Sequence, residues 1–160
     1  MSDNIRVGLI GYGYASKTFH APLIAGMPGM TLAAVSSSDA AKVHADWPSV
    51  PVVSEPKHLF NDPNIDLIVI PTPNDTHFPL AKAALEAGKH VVVDKPFTVT
   101  LSQARELDAL AKSLGRLLSV FHNRRWDSDF LTVKRLLSEG TLGEILFFES
   151  HFDRFRPQVR

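Results

Sequence analysis

Cysteine is absent from the 160 residues, which excludes disulfide bonds, thiolate metal sites and a cysteine nucleophile. Charge of one sign is not in excess either. The 17 Lys and Arg residues balance 17 Asp and Glu residues, so no net field attracts nucleic acid or an anionic membrane. No apolar run approaches the roughly 18–20 residues that span a bilayer. The sequence has neither a G-x-S-x-G elbow nor a G-x-x-x-x-G-K-[ST] loop, which leaves hydrolase and NTPase chemistry without support.

The chain is long enough for one well-buried domain and too short for two complete ones. Its first residues, MSDNIRVGLIGYGYA, lead directly into a strand-like segment, without the basic and apolar regions of a secretory signal. We therefore expect a cytoplasmic protein. The seven histidines scatter over different predicted elements without H-x-x-x-H or H-E-x-x-H spacing, so no metal site is expected.

What the sequence does contain is an alternation of short apolar runs with longer amphipathic segments. The runs are rich in Val and Ile and nearly continuous in hydrophobicity, which is typical of parallel strands covered on both faces. They are Ile5–Ile10, Met30–Val35, Val50–Val53, Leu67–Ile70, His90–Val93 and Leu117–Phe121. The helices expected between and after them are Lys17–Ala25, Asp39–Ala45, Glu55–Phe60, Thr76–Ala87, Leu101–Leu114 and Ser128–Glu139.

The termini of the helix at Leu101–Leu114 carry recognisable signals. Thr100 followed three residues later by Gln103 is a capping-box pattern, and Gly115 fits the position just past the last turn. Strands that alternate with helices imply βαβ crossovers. The sequence therefore predicts an α/β fold with a doubly wound parallel sheet, the Rossmann architecture, over residues 1–124.

The end of the chain departs from this pattern. In Glu144–Phe152 (EILFFESHF) successive side chains would face opposite sides, which predicts a strand. An apolar edge strand without a partner favours aggregation. We therefore expect residues 125–160 to form a helix and the first strand of a second, α+β domain that is incomplete in this chain. A dimer that pairs these edges is the alternative.

The first predicted strand leads into Gly11-Tyr12-Gly13-Tyr14-Ala15-Ser16, a G-x-G-x-x-S variant of the dinucleotide fingerprint. Gly11 permits a tight turn, Gly13 lets backbone amides approach a pyrophosphate, and Ser16 is small enough for close helix–strand packing. The helix that follows points its N-terminal amides at the phosphates. Because the motif lies in a strand–turn–helix unit, it predicts a dinucleotide site, rather than a plain turn, at Gly11, Tyr12, Gly13, Tyr14 and Ala15.

The second predicted strand ends at Val35-Ser36-Ser37-Ser38-Asp39. An NAD site places a carboxylate here, about 20 residues past the fingerprint, to accept from the ribose 2′-hydroxyl. Ser36, Ser37 and Ser38 instead offer hydroxyls that can donate to a 2′-phosphate, which favours NADP over NAD. The alternative interpretation is that this segment caps the next helix, with Asp39 as the N-cap, and both can hold.

Three further segments closely follow predicted strands, at the edge where ligands bind in open α/β sheets. They are Ile70-Pro71-Thr72-Pro73-Asn74-Asp75-Thr76-His77, Val93-Asp94-Lys95-Pro96 and Phe121-His122-Asn123-Arg124-Arg125-Trp126. Together with the glycine loop they resemble the Gfo/Idh/MocA oxidoreductases, with Asp94 replacing the glutamate of the family's E-K-P motif. The run LSVFHNRRWDSDF is similar to the branch that contains NADP-dependent scyllo-inositol dehydrogenase. The resemblance covers nearly the whole chain, but only the N-terminal half of a usual family member.

The resemblance implies a dehydrogenase that uses NADP, or alternatively NAD, and acts on a sugar or cyclic polyol. It makes Lys95 the catalytic lysine, whose ammonium stabilises the alkoxide that develops as hydride leaves. Helix capping is the competing interpretation of Asn74. Asn123 and Arg124 could approach the nicotinamide or the substrate, and the competing interpretation is that Arg124 and Arg125 form inter-domain ion pairs. The residues that the resemblance places at the cofactor's ribose and nicotinamide are Thr72, Asn74, His77, Asp94, Lys95 and Asn123.

In this family the partner acid/base, typically an Asp/His pair, comes from the second domain. We therefore expect these 160 residues to bind NADP(H) weakly and to turn over no substrate, and we expect a full-length form to be a homo-oligomer. Two other hypotheses stay open. One is a dinucleotide-binding module without catalysis, and the other is a methyltransferase, whose glycine loop is similar but which needs no lysine after the fifth strand.

Overall fold

The computed structural model describes residues 4–158. The contacts divide the chain into two compact units, Met1–His122 and Asn123–Arg160. The boundary falls between residues 122 and 123, whereas the sequence placed it between 124 and 125. Along the described stretch no helix is both long enough and apolar enough to cross a membrane.

The first unit is built on a parallel β-sheet. Within residues 4–158 six strands form it, β1 to β6 in chain order: Ile5–Ile10, Met30–Ser36, Val52–Val53, Leu67–Ile70, His90–Asp94 and Leu118–Phe121. Their spatial order is β3-β2-β1-β4-β5-β6, and every neighbouring pair is parallel. The strand order therefore reverses between β1 and β4, which confirms the doubly wound Rossmann-like fold.

Helices connect the strands of this sheet. A π-helical turn at Ser16–His20 continues into the first of the helices α1 to α5: Ala21–Gly26, Ala40–His44, Pro56–Asn61, Asn74–Glu86 and Leu101–Ser113. The capping box before α5 is confirmed, because the Thr100 hydroxyl accepts from the Gln103 N–H and the Gln103 side chain accepts from the Thr100 N–H. Gly115 follows α5 with a φ of +61°, a left-handed conformation that suits glycine.

Strand side chains alternate between two hydrophobic cores. In β4, Ile68 and Ile70 pack in one core with residues of α3, α4 and α5, whereas Val69 packs in the other with residues of α1 and α2. Each strand residue in the middle of the sheet thus meets an apolar surface. This explains why the strand segments read as unbroken apolar runs.

The second unit begins with a 3₁₀ turn at Asn123–Trp126, followed by helix α6 at Ser128–Ser138. Here the structure differs from the sequence-based prediction, because residues 145–152 form no strand. A strand needs a neighbour whose backbone groups pair with its own, and none of the described residues supplies one to this segment. Its apolar side chains, including those of Leu146, Phe147 and Phe148, are exposed.

Candidate functional site

The glycine loop after β1 is tied to the end of β2. Gly11 has a φ of +80°, which turns the chain sharply out of the strand at a position that favours glycine. Its N–H donates to the Ser36 carbonyl at 2.7 Å, and its carbonyl accepts from the Ser16 hydroxyl at 2.9 Å. Ser16 is buried, as expected for a small residue at the third fingerprint position. The loop conformation is therefore set by the protein alone.

The middle of the loop presents backbone amides to solvent. Gly13 is exposed, and a Cβ placed on it would meet no atom within 4 Å. The N–H groups of Tyr12 and Gly13 donate to no backbone acceptor within the described chain. The helical segment that follows starts with the Lys17 N–H donating to the Gly13 carbonyl at 3.0 Å. Open space next to unpaired amides at the start of a helix suits an anionic group such as a pyrophosphate.

The two tyrosines of the loop point in different directions. Tyr12 is 5% exposed, packs in the core with Val43, and donates from its hydroxyl to Asp46 at 2.9 Å. Tyr14 is 78% exposed and Ala15 is half-buried. Tyr12 can therefore serve a ligand only through its backbone, whereas Tyr14 keeps its whole side chain available.

Asp46 links Tyr12 to a lysine of the next helix. The Lys17 ammonium lies 2.9 Å from the same Asp46 oxygen that accepts from Tyr12. The hydrogen bonds from Lys17 and Tyr12 lower the pKa of the Asp46 carboxyl. Burial, with a further contribution from Asp46, raises the pKa of the Tyr12 hydroxyl. Sequence reasoning missed Asp46, since nothing in a loop aspartate signals a contact across 34 residues.

The three serines after β2 are not equivalent. Ser36 is buried, so its side chain cannot reach a ligand, whereas Ser37 is half-buried and Ser38 is exposed. The Ser37 hydroxyl donates to the Asp39 carbonyl and accepts from the Asp39 N–H. Asp39 caps α2 by accepting from the Lys42 N–H at 3.0 Å, which confirms the capping interpretation. Ser37 and Ser38 stay candidates for a 2′-phosphate.

The three predicted site residues in the segment after β4 differ in how far they are exposed. Thr72 shares a 2.6 Å hydrogen bond with the Thr76 hydroxyl, and Asn74 is exposed at the first turn of α4. His77 is fully buried, with ring nitrogens 2.8 Å from the Thr72 and Pro96 carbonyl oxygens. The prediction that His77 lines the cofactor must therefore be corrected, because no part of its side chain is free to touch a ligand.

The segment after β5 carries Lys95. The Asp94 carboxylate accepts from the Lys95 N–H at 2.7 Å, and its other oxygen lies 3.5 Å from Nε2 of His20. The Lys95 side chain is exposed and pairs with no carboxylate among residues 4–158. Its ammonium is thus free to engage a ligand oxygen.

His20 lies next to Asp94, a contact that sequence reasoning missed. It is 3% exposed, and its ring centroid lies 4.3 Å from that of Phe121 at the end of β6. Burial lowers the pKa of the His20 imidazole, although the Asp94 carboxylate opposes this effect. The signal available was a lone histidine between Phe19 and Ala21 in the first helix, which is more often a plain core residue.

The remaining predicted residue, Asn123, opens the second unit. It is half-buried at the start of the 3₁₀ turn, where the neighbouring Arg124 guanidinium lies 2.7 Å from Asp127. The hydrogen bond that Arg124 donates to the Asp127 carboxylate raises the pKa of Arg124. In place of an inter-domain ion pair, Arg124 thus has a local partner three residues away.

Sheet topology brings the free groups of the first unit to one edge. Because the strands are parallel, the glycine loop, Thr72 and Lys95 follow the carboxyl ends of the neighbouring strands β1, β4 and β5. At a spacing of about 4.8 Å per strand, β1 and β5 are about 10 Å apart. The strand order reverses beside β1, which is where doubly wound folds bind a dinucleotide. The edge therefore offers anion-binding amides at one end and an ammonium at the other.

Comparison with known proteins agrees with this geometry. Residues 5–122 match the family GFO_IDH_MocA, the oxidoreductase family with an NAD-binding Rossmann fold. Among curated relatives, the uncharacterised oxidoreductase YdgJ of Escherichia coli K12 is 89% identical over 160 residues, which is 100% of this chain and 46% of YdgJ. The scyllo-inositol 2-dehydrogenase (NADP(+)) IolW of Bacillus subtilis 168 is 41% identical over 158 residues, 99% of this chain and 44% of IolW.

A solved structure gives the same result. The oxidoreductase structure of YPO2259 from Yersinia pestis superposes with a TM-score of 0.96 at 76% identity, and the match covers 100% of this chain and 46% of that one. The chain thus spans about half the length of the relatives it matches.

Proposed function

The chain belongs to the Gfo/Idh/MocA oxidoreductase family, and on that premise we propose that it binds NADP(H) in an enzyme that oxidises an alcohol carbon of a sugar or cyclic polyol. The observation that carries this proposal is the arrangement of the sheet edge. The unpaired amides around Gly13 and the free ammonium of Lys95 follow β1 and β5, on opposite sides of β4.

The residues at this edge fit a phosphorylated dinucleotide. The Tyr12 and Gly13 amides would hold the pyrophosphate. Ser37 and Ser38 follow β2, on the other side of β1 from Lys95, and would donate to the 2′-phosphate of the adenosine ribose. No carboxylate stands among residues 36–38 to repel that phosphate. The relative IolW, 41% identical, carries NADP(+) in its name, which supports the same preference.

Lys95 supplies the chemistry at the substrate. When bound, the nicotinamide accepts or donates a hydride at C4. The Lys95 ammonium would hold the substrate oxygen and stabilise the negative charge that develops there while the hydroxyl proton passes to the acid/base pair expected in the second domain. Thr72 and Asn74 follow β4, the strand between β1 and β5, and would contact the ribose on the nicotinamide side.

The test replaces Lys95 in the full-length enzyme, with NADP⁺ and scyllo-inositol as the assayed pair. We expect Lys95→Met to lower kcat at least about 100-fold, the usual cost of losing one oxyanion-stabilising group, with a much smaller change in the Kd for NADPH. Lys112→Met is the control, because Lys112 pairs with Asp108 on the exposed face of α5. Unchanged turnover in Lys95→Met would contradict the role proposed for Lys95. A full-length wild type that binds NADPH but turns over no polyol would instead leave a dinucleotide-binding module without catalysis.

A further inference from the structure

Asp94 and Pro96, the residues on either side of Lys95, each contact a buried histidine. On one side, Asp94 lies beside His20, which comes from the helix after β1. On the other side, the Pro96 carbonyl lies 2.8 Å from Nδ1 of His77, which comes from α4. Two separate elements of the fold thus converge on the backbone that carries the lysine.

His77 joins the loops that follow β4 and β5. One ring nitrogen meets the Thr72 carbonyl and the other the Pro96 carbonyl, each at 2.8 Å. A carbonyl oxygen only accepts, so the imidazole donates to the carbonyl that its N–H faces and packs against the other one. With no exposed surface, the ring has no freedom to choose other partners. Its position therefore couples the Pro96 peptide to the end of β4.

His20 acts on the other side through Asp94. One Asp94 oxygen accepts from the Lys95 N–H at 2.7 Å, while the other faces His20 Nε2 at 3.5 Å. The Phe121 ring packs against the imidazole and limits its rotation. The carboxylate is thereby held in the orientation in which it accepts from the Lys95 amide.

We propose that His20 and His77 are positioning residues that fix the backbone on both sides of Lys95. The inference rests on the proposed function in that it takes Lys95 to be the catalytic lysine. A core that needed only volume at these places would take apolar side chains, since burying an imidazole costs free energy unless it is hydrogen-bonded. Both histidines instead direct their polar atoms at the residues adjacent to Lys95.

The first test needs no substrate. In the 160-residue chain, His20→Phe and His77→Phe are compared with Lys89→Met by the NMR signal of the Lys95 backbone amide. Lys89 is a matched control: it is buried before the opposite end of β5, and its ammonium donates to the Asp62 and Ile65 carbonyls at 2.6 and 2.8 Å. We expect faster hydrogen exchange at Lys95 in both histidine variants and an unchanged rate in Lys89→Met.

Equal exchange rates at Lys95 in the wild type and in a folded histidine variant would overturn the proposal for that histidine. Should His77→Phe not fold, His77→Gln, which keeps a donor for one carbonyl, takes its place. The Lys95 amide of His77→Gln should still exchange faster than that of the wild type, because a flexible side chain no longer joins the Thr72 and Pro96 carbonyls. An unchanged rate would overturn the proposal for His77.

The second test measures turnover of scyllo-inositol with NADP⁺ by the full-length enzyme. A displacement of about 1 Å at a reacting group costs on the order of 100-fold, so we expect kcat to fall 10–100-fold in either histidine variant with KM for NADP⁺ little changed. In a Lys95→Met background the same substitutions should have no further effect, because they act through the lysine. A further 10-fold loss in that background would overturn the inference while leaving the proposed function intact. Failure of the proposed function would instead appear as full activity in Lys95→Met.

Discussion

Replacing Gly13 with alanine should separate cofactor binding from folding. The added methyl would meet no protein atom within 4 Å, and the residue does not occupy the left-handed region. The free energy of unfolding should therefore stay the same or rise by up to about 1 kcal/mol, as for other glycines in conformations that alanine can adopt. The same methyl would stand where a pyrophosphate must approach the amides. We expect the Kd for NADPH, followed by its fluorescence, to rise at least about tenfold, or 1.4 kcal/mol.

Gly8→Ala is the matched control within β1. A Cβ there would lie 3.0 Å from Ile68 Cδ1 and 3.2 Å from Ile65 Cδ1, inside the core and away from the loop. Overpacking of this kind costs about 1–3 kcal/mol, which should lower Tm by several degrees, at about 2–4 °C per kcal/mol, while Kd for NADPH below Tm changes little. If Gly13→Ala bound NADPH as tightly as the wild type, the glycine loop would not be the pyrophosphate site.

Three more substitutions probe other parts of the first unit. Ser38→Asp should shift preference from NADPH toward NADH, measured as the ratio of the two Kd values, because a carboxylate repels a 2′-phosphate and accepts from a 2′-hydroxyl; an unchanged ratio would count against the serines. Burial lowers the pKa of His20, so at falling pH the imidazole is protonated in the unfolded chain before it is protonated in the folded one. The free energy of unfolding should therefore decrease as the pH drops below the ordinary value of 6.5. Urea unfolding at a series of pH values should show a smaller decrease in the free energy of unfolding for His20→Phe than for the wild type. An equal decrease in both proteins would refute this. Asp46→Asn should lower the pKa of Tyr12 but leave it above the ordinary value, since burial is the larger cause of the shift. Phenolate absorbance in a Tyr14→Phe background reports Tyr12 alone. An unchanged pKa of Tyr12 would contradict its hydrogen bond with Asp46.

Much of the sheet was predictable because a strand covered on both faces must be apolar along its whole length. The bounds predicted for β1 and β4, Ile5–Ile10 and Leu67–Ile70, are those of the structure. The start of α5 was predictable for a different reason: its capping box is formed by residues three apart, so the signal is local.

What could not be predicted depends on distant partners. The alternation in Glu144–Phe152 describes which way side chains would point, but pairing decides whether a strand forms. Likewise, the buried position of His77 depends on carbonyls of Thr72 and Pro96, which only the packed fold brings to its ring. The motifs that follow β1, β4 and β5 are local in the sequence, whereas the contacts of His20 with Asp94 and of His77 with Pro96 are not.

The most direct test of the account is a crystal structure of this chain with NADPH. It should show the pyrophosphate on the amides of Tyr12 and Gly13 and the nicotinamide ribose within hydrogen-bonding distance of the Lys95 ammonium. NADPH bound elsewhere, or in the glycine loop with its nicotinamide turned away from β5, would contradict it.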